Sequence, residues 1–238
     1  MLYRHLTTFT FLLSLFGLPW PSAAAGNRPA VVELFTSQGC DSCPAADAFL
    51  GELAKRPDVI ALAYHVTYHD GLGWTDRFGL PDARKRQEGY ARALSLTSIY
   101  TPQMVVDGVV DLVGSDRPQV LASLGGQRTG PSIQLSQYGG RLEIEINGLE
   151  EKTDGEIWLV GYSAEVQTKV TRGENAGKTL TEYSIVRSLT SIGAWDGSRK
   201  KVSLDLSSLP TTASKAALLI QAPGQGPIIG AAMVRLER

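Results

Sequence analysis

Cysteine is nearly absent from this chain: there are two among 238 residues, at positions 40 and 43. That scarcity excludes a disulfide-stapled scaffold, and it counts against a closed structural zinc site, which takes four ligands where the chain offers no further thiol. An excess of charge of one sign is missing too. Lysine and arginine number 23 against 24 aspartates and glutamates, and no basic cluster supplies the phosphate neutralisation on which nucleic-acid binding leans. Beyond the first twenty residues no apolar run is long enough to span a bilayer. What is there is a chain 43% apolar, enough for one large domain or two small ones.

The first 25 residues read as a targeting segment. Arg4 and His5 make a short basic start, Phe11 to Trp20 supply an apolar core, and Ser22-Ala23-Ala24-Ala25 forms a small-residue cleavage site. Removal near Ala25 would leave an exported protein, periplasmic or secreted, with no transmembrane segment. An oxidising compartment permits structural disulfides, yet the chain has no other cysteine to make one. The pair is therefore spared for chemistry.

Residues 30–50 are the centre of the reading. Val31 to Phe35 form an apolar strand, a polar loop follows, and Cys40-Asp41-Ser42-Cys43 leads into Pro44, Ala45 and Ala46, the opening of a helix over about 43–56. Proline suits a first helical turn, where its missing N–H costs nothing. A helix N-terminus carries partial positive charge and free N–H groups, and both favour a thiolate, the reactive form of cysteine. A CxxC beside a strand–helix–strand pattern reads as a redox motif.

The remaining elements follow in order. Val59 to Val66 is apolar throughout, as a strand buried on both faces would be. A polar, aromatic loop from His65 to Asp76 follows, and loops of that length in compact domains tend to be functional. Asp82 is placed to cap a helix over 83–94, with Arg84, Lys85, Arg86 and Gln87 on its solvated side. Asp107-Gly108 between two apolar runs is a hairpin signal, with Pro102 opening the first strand. Ser115 is placed to cap a short helix ending at Gly125-Gly126.

The order of these elements, the CxxC at the first strand–helix junction and Thr101-Pro102 ahead of the hairpin together resemble the thioredoxin superfamily. In that superfamily the matching proline is cis and packs against the redox pair, so the resemblance implies a cis Thr101–Pro102 bond. More closely, Glu33 to Cys40, His65, Gly73-Trp74 and Tyr100 to Gly108 are similar to the secreted bacterial family catalogued as domain of unknown function 1223. That family brings a fold and a redox-type site but no substrate.

From Gly130 onward short strand-like runs alternate with turns, including 156–162, 165–171, 179–189, 201–206 and 216–222, which reads as a β-sandwich. The expected architecture is therefore α/β: a thioredoxin-like domain over 27–126, then an all-β, sandwich-like domain over 130–238. The polar segment Arg172–Lys178 is either a solvated hairpin tip or a cover for the CxxC face.

The expected function is thiol–disulfide exchange with protein or small-molecule thiols, without cofactor and without nucleic acid. Cys40, at the more exposed tip, would attack and Cys43, shielded by the helix start, would resolve. Thr101 and Pro102 would complete the catalytic group, while Tyr100 and Trp74 would line a substrate groove. His65 is placed to act as acid/base or metal ligand. Glu33, a carboxylate in an apolar strand, is either an acid/base group or a hydrogen-bonded structural one on the opposite face. Helix dipole and Asp41 pull the Cys40 thiolate in opposite directions, so neither oxidant nor reductant follows. Two alternatives stand beside this: copper handling by Cys40, Cys43 and His65, and a non-catalytic interaction module.

Overall fold

The computed structural model describes residues 26–71 and 73–237; the targeting segment expected over 1–25 lies outside them. A two-residue bridge, β1 (Gly26–Asn27), precedes β2 (Ala30–Thr36), α1 (Pro44–Leu53) and β3 (Val59–His65). Next come α2 (Pro81–Ala93), the hairpin β4 (Gln103–Val106) and β5 (Val110–Val113), and α3 (Arg117–Ser123). A second bridge, β6 (Thr129–Gly130), pairs with β1 and leads to β7 (Ile133–Tyr138) and β8 (Arg141–Ile146). Two long strands follow, β9 (Gly155–Lys169) and β10 (Thr179–Trp195), then β11 (Lys200–Asp205), β12 (Lys215–Gln221) and β13 (Ile228–Arg235).

Every residue of β2 and β3 is buried, which matches sequences that are apolar but for Glu33, Thr36 and His65. The two strands run parallel from Ala30↔Val59 to Thr36↔His65, with α1 as the crossover. Proline opens all three helices in the first turn. This moves the start of α2 to Pro81 after Leu80, so Asp82 lies inside the first turn and pairs with Lys85 instead of capping. Asp116, not Ser115, caps α3, accepting from the Gln119 N–H. In the hairpin turn Asp107 (φ 52°) and Gly108 (φ 72°) both take left-handed backbone.

The main departure from expectation is in the second half. The strand order β13-β12-β9-β10-β3-β2-β4-β5 makes one mixed eight-stranded sheet that crosses residues 126–130, so the anticipated split into an α/β and an all-β domain gives way at the sheet. The physical reason is the free edge of β3: β10 pairs with it in parallel at Ile185↔Ala63 and brings β9, β12 and β13 along. The runs 156–162 and 165–171 are one strand, β9, with a bulged ladder to β10. Sandwich-like packing survives only locally, where the separate sheet β11-β8-β7 covers one face of β9 and β12 through Leu142, Ile144, Ile157, Leu159 and Leu218.

Side-chain alternation divides the core. Val31, Phe35, Tyr64 and Tyr90 lie on the α2 face, whereas Val32, Leu34, Ala46, Phe49 and Leu50 lie on the α1 face. Full burial of each large side chain contributes roughly 1.5–3 kcal/mol.

Candidate functional site

The loop between β2 and α1 ends in a disulfide between Cys40 and Cys43, with an S–S distance of 2.11 Å. Cys43 occupies the N-cap position of α1 and its carbonyl accepts from Ala46 and Asp47. Asp41 and Ser42 between the cysteines are exposed, but both cysteines are buried: Cys40 is 3% exposed and Cys43 0%. The expected exposed tip at Cys40 is therefore absent in this oxidised state.

The Thr101–Pro102 bond is cis, as the resemblance implies. Pro102 converges with Leu34 and Ala46, the latter three residues beyond Cys43, around Gly114, where a side chain would lie within 3.2 Å of all three. Thr101 Oγ1 is 2.8 Å from His69 Nε2, and His69 backs directly onto Gly39 beside Cys40. The cis-proline segment and the cysteine loop are thus joined through His69.

Tyr100 is half-buried. Its hydroxyl donates to Asp111, its carbonyl accepts from Gln87, and partial burial with the Asp111 charge raises its pKa. Trp74 is half-buried and donates to Gln38 Oε1 at 2.9 Å.

His65 reaches the correct sheet end but makes no hydrogen bond to either sulfur. Its Nδ1 lies 2.8 Å from Asp76 Oδ2, which also accepts the Gln38 N–H at 2.7 Å, two residues before Cys40. Burial opposes charge on His65, yet the Asp76 carboxylate outweighs it and raises the pKa. Burial likewise opposes ionisation of Asp76, and His65 with two backbone N–H groups overcomes it. The copper set Cys40, Cys43 and His65 is not assembled in this disulfide state, because the sulfurs are bonded to each other; the His65 ring holds Asp76 through Nδ1, and its buried Nε2 has no hydrogen-bond partner. Among the described residues no three His, Cys, Asp or Glu side chains are grouped so as to hold a metal ion.

Glu33 projects from the opposite face of β2. Arg86 grips its carboxylate at 2.5 and 3.0 Å, and Tyr90 donates to it as well. Both partners of the ion pair are almost fully buried. That geometry is structural, away from the cysteines.

Several site residues escaped the sequence reading. Gln38 is a hub: Nε2 donates to Glu182 at 2.6 Å and to Thr168 at 3.1 Å, and its carbonyl accepts from Asn175. Asp47, one helical turn past Cys43, is buried beneath the pair. Its pKa is pushed up to about 7, mainly by burial, against the opposing pull of His65. Burial also raises Glu182. Asp47 meets solvent through a cavity of about 330 Å3 that Pro44, Ala48, Thr179, Leu180, Thr181 and Tyr183 complete. A signal for Asp47 was present: Cys43, Asp47 and Leu50 fall at i, i+4 and i+7, a carboxylate in an apolar stripe. A larger cavity of about 680 Å3, around Trp195 and Asp196, lies at the far end of β9 and β10 and shares no residue with this site.

Residues 31–221 match the model of a protein family of unknown function, DUF1223. The chain belongs to that family. The crystal structure of protein AGR_C_4864 from Agrobacterium tumefaciens is similar, at 29% identity and a TM-score of 0.76 over 90% of this chain and 99% of that one. HBP35 of Porphyromonas gingivalis shares the fold, at 14% identity and a TM-score of 0.60, over 88% of this chain and 76% of that one. No curated protein matches this member of the DUF1223 family.

Proposed function

We propose that this DUF1223 protein is an exported thiol–disulfide oxidoreductase on a thioredoxin-like scaffold, acting through Cys40 and Cys43. The observation that carries the reading is the Cys40–Cys43 disulfide at the N-terminus of α1, with the cis Thr101–Pro102 segment joined to the cysteine loop through His69. A partner thiolate attacks Cys40 Sγ. A new S–S bond forms to the partner as the Cys40–Cys43 bond breaks, and Cys43 leaves with the electron pair as thiolate. A second thiol of the partner then displaces Cys40, so the partner is oxidised to a disulfide and the pair is reduced. The reverse sequence oxidises the pair. The α1 N-terminus stabilises the departing charge. Asp47, buried one turn beyond Cys43, sits where a carboxyl influences that thiol. The reading of residues 1–25 as a targeting segment supports export.

Burial of both sulfurs favours a second reading, an inert clasp on the loop. One experiment separates them: a redox equilibrium of the purified chain against dithiol and glutathione buffers. The exchange reading expects reversible closure between about −120 and −270 mV, whereas a structural disulfide lies below about −300 mV. A pair that resists reduction, or fails to close again, overturns the exchange reading.

A further inference from the structure

We propose that the loop 171–178 is a gate over the disulfide, that Asn175 is its latch, and that the gate admits polypeptide thiols in preference to small ones. This rests on the exchange chemistry proposed above. The loop joins β9 to β10 and is closed at its base by Val170 N–H to Lys178 O and Gly177 N–H to Val170 O, both 2.9 Å. From Thr171 to Thr179 the chain is exposed or half-exposed except at Asn175, which is 0% exposed. A polar side chain is thus the one part of this loop inserted into the protein.

The insertion is aimed at the cysteine loop. Asn175 Nδ2 donates to Gln38 O and to Cys40 O, each at 2.9 Å, and Oδ1 accepts from Lys178 Nζ at 2.9 Å. The loop carries no large apolar side chain to bury, so these bonds are its attachment. Gly173 (φ 76°) and Gly177 (φ 83°) flank the latch with backbone that only glycine adopts freely, and Gly173 lies against Gly73 of the neighbouring loop. Withdrawing Asn175 exchanges two neutral hydrogen bonds for bonds to water, a small free-energy change, so closed and open arrangements are close in energy.

Two consequences follow for partners. With Asn175 in place Cys40 is 3% exposed, and an incoming sulfur has no line of approach. With Asn175 withdrawn, the carbonyls of Gln38 and Cys40 lose their donor. A polypeptide offers backbone N–H groups to take over both acceptors; a non-peptidic thiol such as dithiothreitol has none. Asn175 is accordingly a specificity-determining residue that acts by exclusion.

The test measures the rate and the equilibrium of reduction of the full chain by dithiothreitol and by a dicysteine peptide. Asn175→Ala should raise the second-order rate constants for dithiothreitol reduction and for the reverse reoxidation together, by about tenfold, the factor expected for losing one or two such bonds. The equilibrium constant should stay within about twofold, and the peptide should gain less than dithiothreitol. Lys178→Met, which frees only the Oδ1 contact, should give a smaller acceleration in the same direction, and it decides the matter should the alanine variant not fold. Unchanged rates in a natively folded variant, or a shifted equilibrium without matched rates, overturn the gate. If the disulfide cycles reversibly at one rate in every variant, only the gate falls; if it never closes again after reduction, the exchange reading falls as well.

Discussion

Gln38 Nε2 donates to Glu182 Oε1 at 2.6 Å, tying the cysteine loop to β10 across 144 residues of sequence. Both side chains are buried, and Thr168 supplies the other carboxylate oxygen with a donor at 3.0 Å. The cysteine loop is thereby a part of the second half of the chain as much as of the first.

Removing that amide leaves Glu182 short of a donor inside the protein. Gln38→Ala should destabilise the fold by about 1–3 kcal/mol, the cost of a buried group left unsatisfied. Urea unfolding measures it; a midpoint equal to that of the unsubstituted chain would deny the hub role.

The Arg86–Glu33 pair gives a larger expectation. Arg86→Met strands a buried carboxylate and should cost about 3–5 kcal/mol, whereas adding Glu33→Gln should recover much of the loss. A double-mutant cycle in urea supplies the coupling, and additive costs would contradict it.

Asp47 gives a pH dependence. Its folded pKa is about 7 against an ordinary value of 3.8, so the unfolded chain releases this proton first as pH rises. The stabilisation is complete below about pH 4 and declines until pH passes about 7, by at most about 4 kcal/mol. Asp47→Asn should remove that slope, making the variant relatively more stable at pH 8 than at pH 4. Parallel stability curves for the two proteins would refute the assignment.

Asp107 joins the hairpin to the chain ends of the first half. It pairs with Arg28 at 2.7 Å and Arg128 at 2.5 Å, all three largely buried. Asp107→Asn keeps a residue tolerant of positive φ but leaves two guanidinium groups uncompensated. About 1–3 kcal/mol should be lost, read as a lower melting temperature whose deficit shrinks little with salt, because buried pairs are weakly screened.

Much of this was legible beforehand. Val31–Phe35 and Val59–Val66 announced buried parallel strands because apolar runs of that length have few other uses, and Asp107-Gly108 announced its hairpin through turn chemistry. Glu33 alternates with Val32 and Leu34 along its strand and so falls on the far face from α1, as the strand period requires. The pairing of β10 with β3 was not legible, because alternation along a strand reveals that one face is covered but not by which neighbour. Asp76, Thr168 and Glu182 were hidden for the same reason, as was the choice of Asn175 within the segment 172–178, which was legible either as a cover for the CxxC face or as a solvated hairpin tip. Each is an ordinary polar residue in its own stretch and becomes a site residue only when a distant segment is laid beside it. The contact of the cysteine loop with residue 175, through the carbonyls of Gln38 and Cys40, is of that kind.

The pairing of β3 with β10 also bears on the order in which the molecule can be made. Synthesis delivers the cysteines early and their cover late, 135 residues later in the case of Asn175 and Cys40. A nascent or newly released chain therefore presents both thiols openly while β9 and β10 are still unpaired, and long-range pairing of this kind is intrinsically slow to form. Oxidation of the pair by an outside oxidant is easiest in that interval, before the finished molecule closes over its own sulfur atoms.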